Sequence, residues 1–252
     1  MEFVGDIARK TGRASLLAVE AAKASRALDI GKACGLFSVP RVVNFDAEVG
    51  VLEFERLRGL STLLDLAVGR DARLPQLLDK TGRALAKIHE ELTLPEEMKH
   101  ELPPPWIGSA GENVFIHGDF ACVNVCFHEP SGELVILDFS AAPMVGRTPT
   151  FGSRYFDILL FMSSLFQGAP CARILAWNAA GMAQAFLEGY GKESSNTELN
   201  RLTDYAPEMS RLQRKNIRNL SRQRSPIRAP FYFSWQMLMH TRFRSFLRRR
   251  QA

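Results

Sequence analysis

Two aspartates and one asparagine near the middle of the chain have types and spacing that suit one particular chemistry. Asp119 lies in H-G-D-F-A-C-V-N-V (117–125), Asn124 follows five residues later, and Asp138 lies in V-I-L-D-F-S (135–140). Phosphoryl transfer from ATP needs a carboxylate that orients the attacking hydroxyl and accepts its proton. It also needs oxygen ligands for the Mg²⁺ that bridges the phosphates. These three residues supply both kinds of group.

The elements around these residues are predicted to bring them together. Two apolar runs flank the turn Glu-Pro-Ser-Gly at 129–132 and predict a β-hairpin. Because the strands of a hairpin are antiparallel, the turn folds Asp138 back beside Asn124. An amide oxygen and a carboxylate then converge on one metal site, with Asp119 nearby as the base. The alternative is that the aspartates only cap turns and that His117 is a satisfied core histidine.

Apolar periodicity predicts a mixed α+β chain, with strands near its front and most of its helices behind. A helix is predicted over 13–35, and two strands are predicted over 38–46 and 51–57. Further helices are predicted at 74–92, 154–167, 171–191, 198–224 and 230–250. The two parts are expected to meet near residue 59.

Length and composition exclude several classes of protein. At 252 residues and 46% hydrophobic, the chain can bury a sizeable core without disulfides or structural metals. Its four cysteines show no paired framework, which favours a reducing compartment. The start, MEFVGDIARKTGR, has charges where a signal peptide needs an apolar run, and no apolar stretch is long enough to span a bilayer. We therefore expect a cytoplasmic protein.

The C-terminal end is strongly basic. Residues 211–252 contain twelve Lys or Arg and no Asp or Glu. Because the whole chain has a net charge of +5, the other 210 residues carry a net charge of −7. This asymmetry predicts an anionic partner for that end, or contact with the inner face of an anionic membrane. A solvated helical face is the alternative. Nucleic acid is not expected as a partner, and the pattern indicates no oligomeric state.

The motifs around the candidate residues, together with L-A-K-I-H-E-E-L at 85–92, resemble those of the aminoglycoside phosphotransferase/choline kinase superfamily. The resemblance covers roughly 36–190 and is most specific over 115–140. It implies a protein-kinase-like fold with two lobes. The N-terminal β lobe and hinge would be reduced to 1–59, and a large, mainly helical C-terminal lobe would occupy 60–252.

The resemblance also implies roles for individual residues. Asp119 would be the catalytic base with His117 as a supporting residue, and Asn124 and Asp138 would bind Mg²⁺. The cofactors would be ATP and Mg²⁺. Asp157 would be the acidic residue that props the catalytic loop. The adenine would meet backbone groups of three hinge residues: Glu53, Phe54 and Glu55.

The N-terminus departs from the pattern of the superfamily. Kinases of this type normally have a glycine-containing hairpin over the phosphates, then a strand lysine that pairs with a helix glutamate. Gly5 and Gly12 are not expected to make such a loop. Lys10 is the best position for the phosphate lysine, with Glu20 as its partner, and Lys23 is the alternative. The start codon could be assigned too far downstream, the ATP lid could come from elsewhere, or the kinase could be degraded.

The sequence thus predicts an ATP- and Mg²⁺-dependent kinase that phosphorylates a hydroxyl of a small molecule or glycan. Only 14 residues separate Asp138 from Ser153, which leaves little room for the phosphorylated activation loop of a protein kinase. The second hypothesis is a non-catalytic pseudokinase that acts as a nucleotide-binding or regulatory module.

Overall fold

The computed structural model describes residues 1–109, 111–140, 143–145, 148–173, 176–194 and 198–250. The α-helices within these residues are α1 (Ala14–Cys34), α2 (Leu63–Gly69), α3 (Leu74–Glu91), α4 (Tyr155–Gln167), α5 (Ala179–Glu193), α6 (Leu202–Arg222) and α7 (Arg228–Arg249). The β-strands are β1 (Glu2–Val4), β2 (Ile7–Thr11), β3 (Val42–Asp46), β4 (Val51–Glu55), β5 (Leu60–Thr62), β6 (Asn113–Phe115), β7 (Val125–His128), β8 (Glu133–Ile136) and β9 (Phe151–Ser153). This mainly helical content with a small sheet region confirms the predicted α+β class.

The first eleven residues form a hairpin, so the expectation that Gly5 makes no such loop was wrong. β1 pairs antiparallel with β2 and Val4 lies opposite Ile7, which leaves Gly5 and Asp6 as a two-residue loop. Gly5 has a φ of 58°, a conformation that costs glycine little because it has no Cβ. β2 continues into an antiparallel sheet with strand order β1-β2-β4-β3.

Helix α1 packs on this sheet, in agreement with the helix predicted at 13–35. Leu17 and Ala21 of α1 are buried against Leu52 of β4. The helix ends at Gly35, which has a left-handed φ of 66° and donates its N–H to a carbonyl one turn back. The amphipathic side of α1 that faces the sheet thus follows directly from its spacing of small and apolar residues.

The predicted hairpin around residues 129–132 is confirmed. β7 and β8 pair antiparallel, with Val125 opposite Ile136. Just beyond the last paired residues, the Leu137 N–H donates to the Asn124 carbonyl at 2.8 Å. Residues 124 and 138 therefore stand at the same open end of the hairpin.

The linker between α1 and β3 is attached to this hairpin through Ser38. The Ser38 N–H donates to the Leu134 carbonyl at 2.8 Å, and the Ile136 N–H donates to the Ser38 carbonyl at 2.9 Å. On the opposite side, β5 pairs with β7. The hairpin is thus held on both edges by segments that lie on either side of residue 59, where a lobe boundary was predicted from the sequence.

The helix predicted at 171–191 begins later than expected. Cys171–Arg173 forms a separate 3-10 turn, and residues 174 and 175 lie outside the described part of the chain. α5 begins after Asn178, whose side chain accepts a hydrogen bond from the Gly181 N–H and so caps the helix. Among the described helices, none combines the length and apolarity required to cross a bilayer.

Helices α3 and α5 cross closely because glycines lie at their contact. A Cβ at Gly82 of α3 would collide with the backbone of Phe186, and one at Gly189 of α5 would collide with the backbone of Asp79. Neither obstacle is a flexible side chain, so neither can move aside without displacing a helix. This crossing supports the end of α3 that precedes the candidate catalytic loop.

We expect Gly82→Ala to lower the free energy of unfolding by about 1–3 kcal/mol, because the added methyl group forces the two helix backbones apart. Gly69→Ala is the matched control, since a Cβ at Gly69 of α2 meets nothing within 4 Å. Alanine there removes backbone entropy from the unfolded chain and should leave stability equal or slightly higher. Urea denaturation followed by circular dichroism measures both, and equal midpoints for the two variants would contradict the tight crossing.

Candidate active site

Asn124 is bonded directly to the candidate catalytic base. Its side-chain Nδ2 donates to the Asp119 carbonyl at 2.9 Å and to the Asp119 carboxylate at 3.2 Å. Because Nδ2 makes both bonds, Oδ1 is the atom of this amide that can face a cation. The arrangement brings the side chains of residues 119 and 124 into one environment, as the sequence predicts.

Asp138 follows β8 in an uncommon backbone conformation. Its φ is 57°, and Arg70 is the other non-glycine among the described residues with a positive φ. Non-glycine residues pay a steric cost for this conformation, and such strain clusters at functional sites. One carboxylate oxygen, Oδ1, accepts from the Ser140 hydroxyl at 2.7 Å and from Lys10 at 2.9 Å. The turn of the chain thus aims the carboxylate back toward β2.

Lys10 of β2 bridges two carboxylates. Its Nζ lies 2.7 Å from Glu20 of α1 and 2.9 Å from Asp138. Burial would lower the pKa of Lys10, but the two carboxylates outweigh it and the net pKa is raised. Burial raises the pKa of Glu20, with the Lys10 ammonium opposing it. The structure therefore brings the predicted pair together and adds Asp138 to it.

Lys23, the alternative phosphate lysine, is placed differently. It is 1% exposed, and its Nζ donates to the main-chain carbonyl of His117. Lys10 is thus the lysine that reaches Asp138, and Lys23 lies behind the catalytic loop.

The two candidate carboxylates have opposite pKa shifts. Burial and the nearby charge of Asp138 raise the pKa of Asp119 to about 6, although the bond from Asn124 opposes this. For Asp138, burial favours a higher pKa, but Lys10 and the Ser140 hydroxyl outweigh it and the pKa is lowered. Two carboxylates whose pKa values are pushed apart are typical of one base and one permanently charged group.

His117 supports the loop as a neutral, buried side chain. Its Nδ1 accepts from the Asp119 N–H at 3.2 Å, and its Nε2 therefore donates to the Leu137 carbonyl at 3.1 Å. The ring packs against Phe120 and Phe139. Burial, assisted by the charge of Lys23, lowers the pKa of His117 to about 4. A neutral imidazole at this position links the backbone of Asp119 to that of Leu137, the residue before Asp138.

Asp157 of α4 binds the catalytic loop from below. Its fully buried carboxylate accepts from the His117 N–H at 2.7 Å and from the Gly118 N–H at 2.9 Å. His89 of α3 also bonds to it at 3.1 Å, and the other ring nitrogen of His89 lies 2.9 Å from the Tyr190 hydroxyl. Sequence reasoning identified Asp157 but missed this His89–Tyr190 support, for which the only signal was a histidine on the apolar face of α3.

A cavity of about 300 Å³ opens beside these groups, within the usual range for a small-molecule pocket. Its walls are mostly apolar. It is lined by parts of the first hairpin, of α1, of the end of β4 and of the open end of the β7–β8 hairpin: Met1, Phe3, Glu20, Phe54, Glu55, Arg56, Leu57, Asn124 and Asp138. The cavity therefore lies between the candidate metal ligands and the N-terminal sheet.

Glu53 is not among the residues that line this cavity, and its predicted contact with adenine stays a prediction. Its position in β4 is paired on both sides, with Arg9 of β2 and with Asn44 of β3. Its carboxylate forms an ion pair with Arg9 at 2.8 Å. Of the three predicted hinge residues, Phe54 and Glu55 line the cavity.

The residues present fit a divalent cation. Asn124 and Asp138 offer the hard oxygen donors that Mg²⁺ prefers, and Mg²⁺ commonly takes only one or two protein ligands beside phosphate oxygens and water. The buried cluster also carries excess negative charge. Its four carboxylates face two ammonium groups, which leaves two negative charges when all are ionised: Glu20, Asp119, Asp138 and Asp157 against Lys10 and Lys23. Among the described residues, no set of three or more His, Cys, Asp or Glu side chains forms a separate metal site.

The basic residues of the C-terminal end lie on α6 and α7. Four exposed arginines surround a second cavity of about 350 Å³ between these helices: Arg211, Arg214, Arg244 and Arg248. Arg211 also forms an ion pair with Glu208. The anionic partner or membrane surface predicted for this end stays a prediction.

We expect Asp157→Asn to lower the free energy of unfolding by about 2 kcal/mol or more, because an amide group replaces one oxygen that accepts from a buried N–H. The depressed pKa of Asp157 means that its contribution is present at neutral pH and is lost as the pH falls below about 4. Thermal unfolding at pH 7 measures the effect. Asp29→Asn, at an exposed position of α1, is the control and should leave Tm unchanged; equal Tm values for both variants would show that the loop does not depend on this carboxylate.

Comparison with known proteins shows similarity of structure. No protein-family model and no curated protein sequence matches the chain. A choline/ethanolamine kinase family protein from Mesorhizobium loti is 16% identical with a TM-score of 0.58, and the match covers 99% of this chain and 88% of that one. A glucosamine kinase in complex with glucosamine, ADP and inorganic phosphate is 15% identical with a TM-score of 0.57, covering 90% and 72%.

A third solved structure, an amicoumacin kinase with AMP-PNP, Ca²⁺ and amicoumacin, is 15% identical with a TM-score of 0.58, covering 94% and 80%. At this level of identity the likeness concerns the fold. The chain thus has the fold that these solved small-molecule kinases share, which confirms the fold expected from the resemblance of its motifs.

Proposed function

We propose that this protein is an ATP- and Mg²⁺-dependent phosphotransferase that moves the γ-phosphoryl group to a hydroxyl of a small molecule. One observation carries the proposal. Asn124 and Asp138 stand together at the open end of one hairpin, and Asn124 is bonded to Asp119. This constellation lies beside an apolar cavity that is large enough for a small ligand.

Asp119 is the group that would accept the proton of the acceptor hydroxyl. Burial and the charge of Asp138 raise its pKa to about 6, so it is mostly ionised at neutral pH and still basic enough to take a proton. The amide of Asn124 and the ring of His117 hold its loop in place from two sides. The base is therefore oriented before a substrate binds, which lowers the entropic part of the barrier.

Asn124 Oδ1 and the Asp138 carboxylate would hold Mg²⁺. The ion would supply positive charge against the negative charge of the phosphates. Lys10 would bind the phosphates as well, and Glu20 orients its ammonium group from α1. The low pKa of Asp138 keeps its carboxylate charged and available as a ligand at neutral pH.

The nucleotide base fits the apolar cavity. Phe54 and the segment from Glu55 to Leu57 at the end of β4 form one wall, and Met1 and Phe3 of the first hairpin form another. Two of these residues, Phe54 and Glu55, belong to the hinge segment predicted to meet adenine. An apolar slot with a few polar backbone groups at one edge is the usual environment of a bound aromatic ligand.

A small-molecule acceptor is supported by the structural neighbours. They include kinases named for glucosamine and amicoumacin and a member of the choline/ethanolamine kinase family. All three names denote acceptors of low molecular weight. We therefore propose an alcohol of this size class as the substrate in preference to a protein or a glycan.

The test is Mg²⁺-dependent transfer of the γ-phosphoryl group from labelled ATP to a panel containing choline, ethanolamine and glucosamine. We expect Asp119→Asn and Asp138→Asn to lower the rate at least 100-fold, since a positioned general base alone contributes about 10²–10⁴-fold. Asparagine is chosen at 138 because it tolerates a left-handed backbone better than alanine does.

Asp29→Asn is again the control and should retain the wild-type rate. Equal rates in wild type and both site variants would refute the proposal. Binding of mant-ADP by the wild type without transfer to any acceptor or to water would instead favour the non-catalytic module considered from the sequence.

A further inference from the structure

The mechanism above gives no role to Lys23, a buried charged residue. Lys23 lies in the interior of α1 and is 1% exposed, yet lysine is almost never fully buried unless its ammonium has partners. Burial lowers its pKa to about 8, although four surrounding carboxylates oppose this: Asp157, Glu20, Asp138 and Asp119. The free-energy cost of burying this ammonium group must be offset by specific contacts.

The principal contact of Lys23 is with the backbone of the catalytic loop. Its Nζ donates to the His117 carbonyl. A Cβ built on Gly118 would lie 3.5 Å from the same Nζ, so the ammonium also lies directly against the next residue. Gly118 has a φ of 91°, a region that side chains avoid. The lysine therefore touches the one segment of the loop whose conformation only glycine adopts readily.

The partner on the opposite side is Asp157. The His117 carbonyl and the Gly118 N–H belong to the same peptide group, and in a trans peptide they point in opposite directions. Lys23 binds the oxygen end of this group, and the Asp157 carboxylate binds its N–H end at 2.9 Å. A cation and an anion thus fix the orientation of the His117–Gly118 peptide plane, one peptide before the one that joins Gly118 to Asp119.

The same face of α1 also carries Glu20, one turn before Lys23. Glu20 bonds to Lys10, which bonds to Asp138. One helical turn therefore contacts both the metal-binding carboxylate, through Lys10, and the catalytic loop, through Lys23. Displacement of α1 would disturb both sites together.

We propose that Lys23 is a positioning residue that locks the His117–Gly118 peptide and so ties the orientation of Asp119 to the placement of α1. Its catalytic consequence rests on the proposed function; its structural consequence does not. Lys23 acts through the loop and does not touch the nucleotide, whereas Lys10 lies at the metal-binding carboxylate. The two lysines should therefore affect different kinetic constants.

The test compares Lys23→Met with wild type in the full-length protein by hydrogen–deuterium exchange and by steady-state kinetics. We expect the rate of amide exchange over residues 116–120 to rise at least tenfold, while the rate over α1 stays unchanged. For phosphotransfer we expect kcat to fall at least tenfold with the KM for ATP within twofold. Lys10→Met should show the opposite pattern, in which the KM for ATP rises and kcat changes less. Lys32→Met, at an exposed position of α1, is the matched control and should change neither measurement.

Unchanged loop exchange in folded Lys23→Met would overturn the proposal, as would an equal rise in exchange across the whole chain, which would indicate a general packing role. If Lys23→Met does not fold, Lys23→Gln decides by the same exchange measurement, because it keeps a donor but loses the charge and reach. A wild-type protein without phosphotransfer would refute the proposed function and leave the exchange result to decide this inference.

Discussion

The Lys10 ammonium group connects three distant parts of the chain at one point. It belongs to β2, bonds to Glu20 on α1, and bonds to Asp138 just after β8. Without this cation, the buried Glu20 and the partly buried Asp138 would face each other with only the weaker influence of Lys23 to offset their charges. The approach of the N-terminal sheet to the hairpin, and hence the shape of the cavity between them, therefore depends on this one group.

The remainder of the site is organised by backbone contacts more than by contacts between side chains. Asp157 accepts from two consecutive amide groups of the candidate catalytic loop. Asn124 donates to the carbonyl and the carboxylate of Asp119, and His117 accepts from the Asp119 amide. Because main-chain groups do not change with the identity of a side chain, such bonds hold a loop in a defined shape with few side-chain requirements. The Asp119 carboxylate, whose pKa is raised by burial, is thus kept in position without a direct positive partner.

The elements that could be predicted from the sequence are those governed by local rules. The hairpin that contains Asp138 followed from its turn residues and apolar runs, and α1 followed from its periodicity. The hairpin at Gly5 was missed because its strands, EFV and IARKT, lack the continuous apolar runs that flank residues 129–132. The support of Asp157 by His89 required knowledge of how α3 and α4 pack, which local pattern does not contain.

The attachment of Ser38 to β8 limits how nucleotide could enter and leave. This residue extends the three-stranded sheet by one backbone bridge, so a separation of the two sides of the cleft at this point would break two hydrogen bonds that have no ready replacement. β1, in contrast, pairs only with β2, and Phe3 is more than half exposed. Opening of the cleft would then proceed by an outward movement of β1 alone, because β2 is held by five paired positions with β4 and by the ion pairs of Lys10.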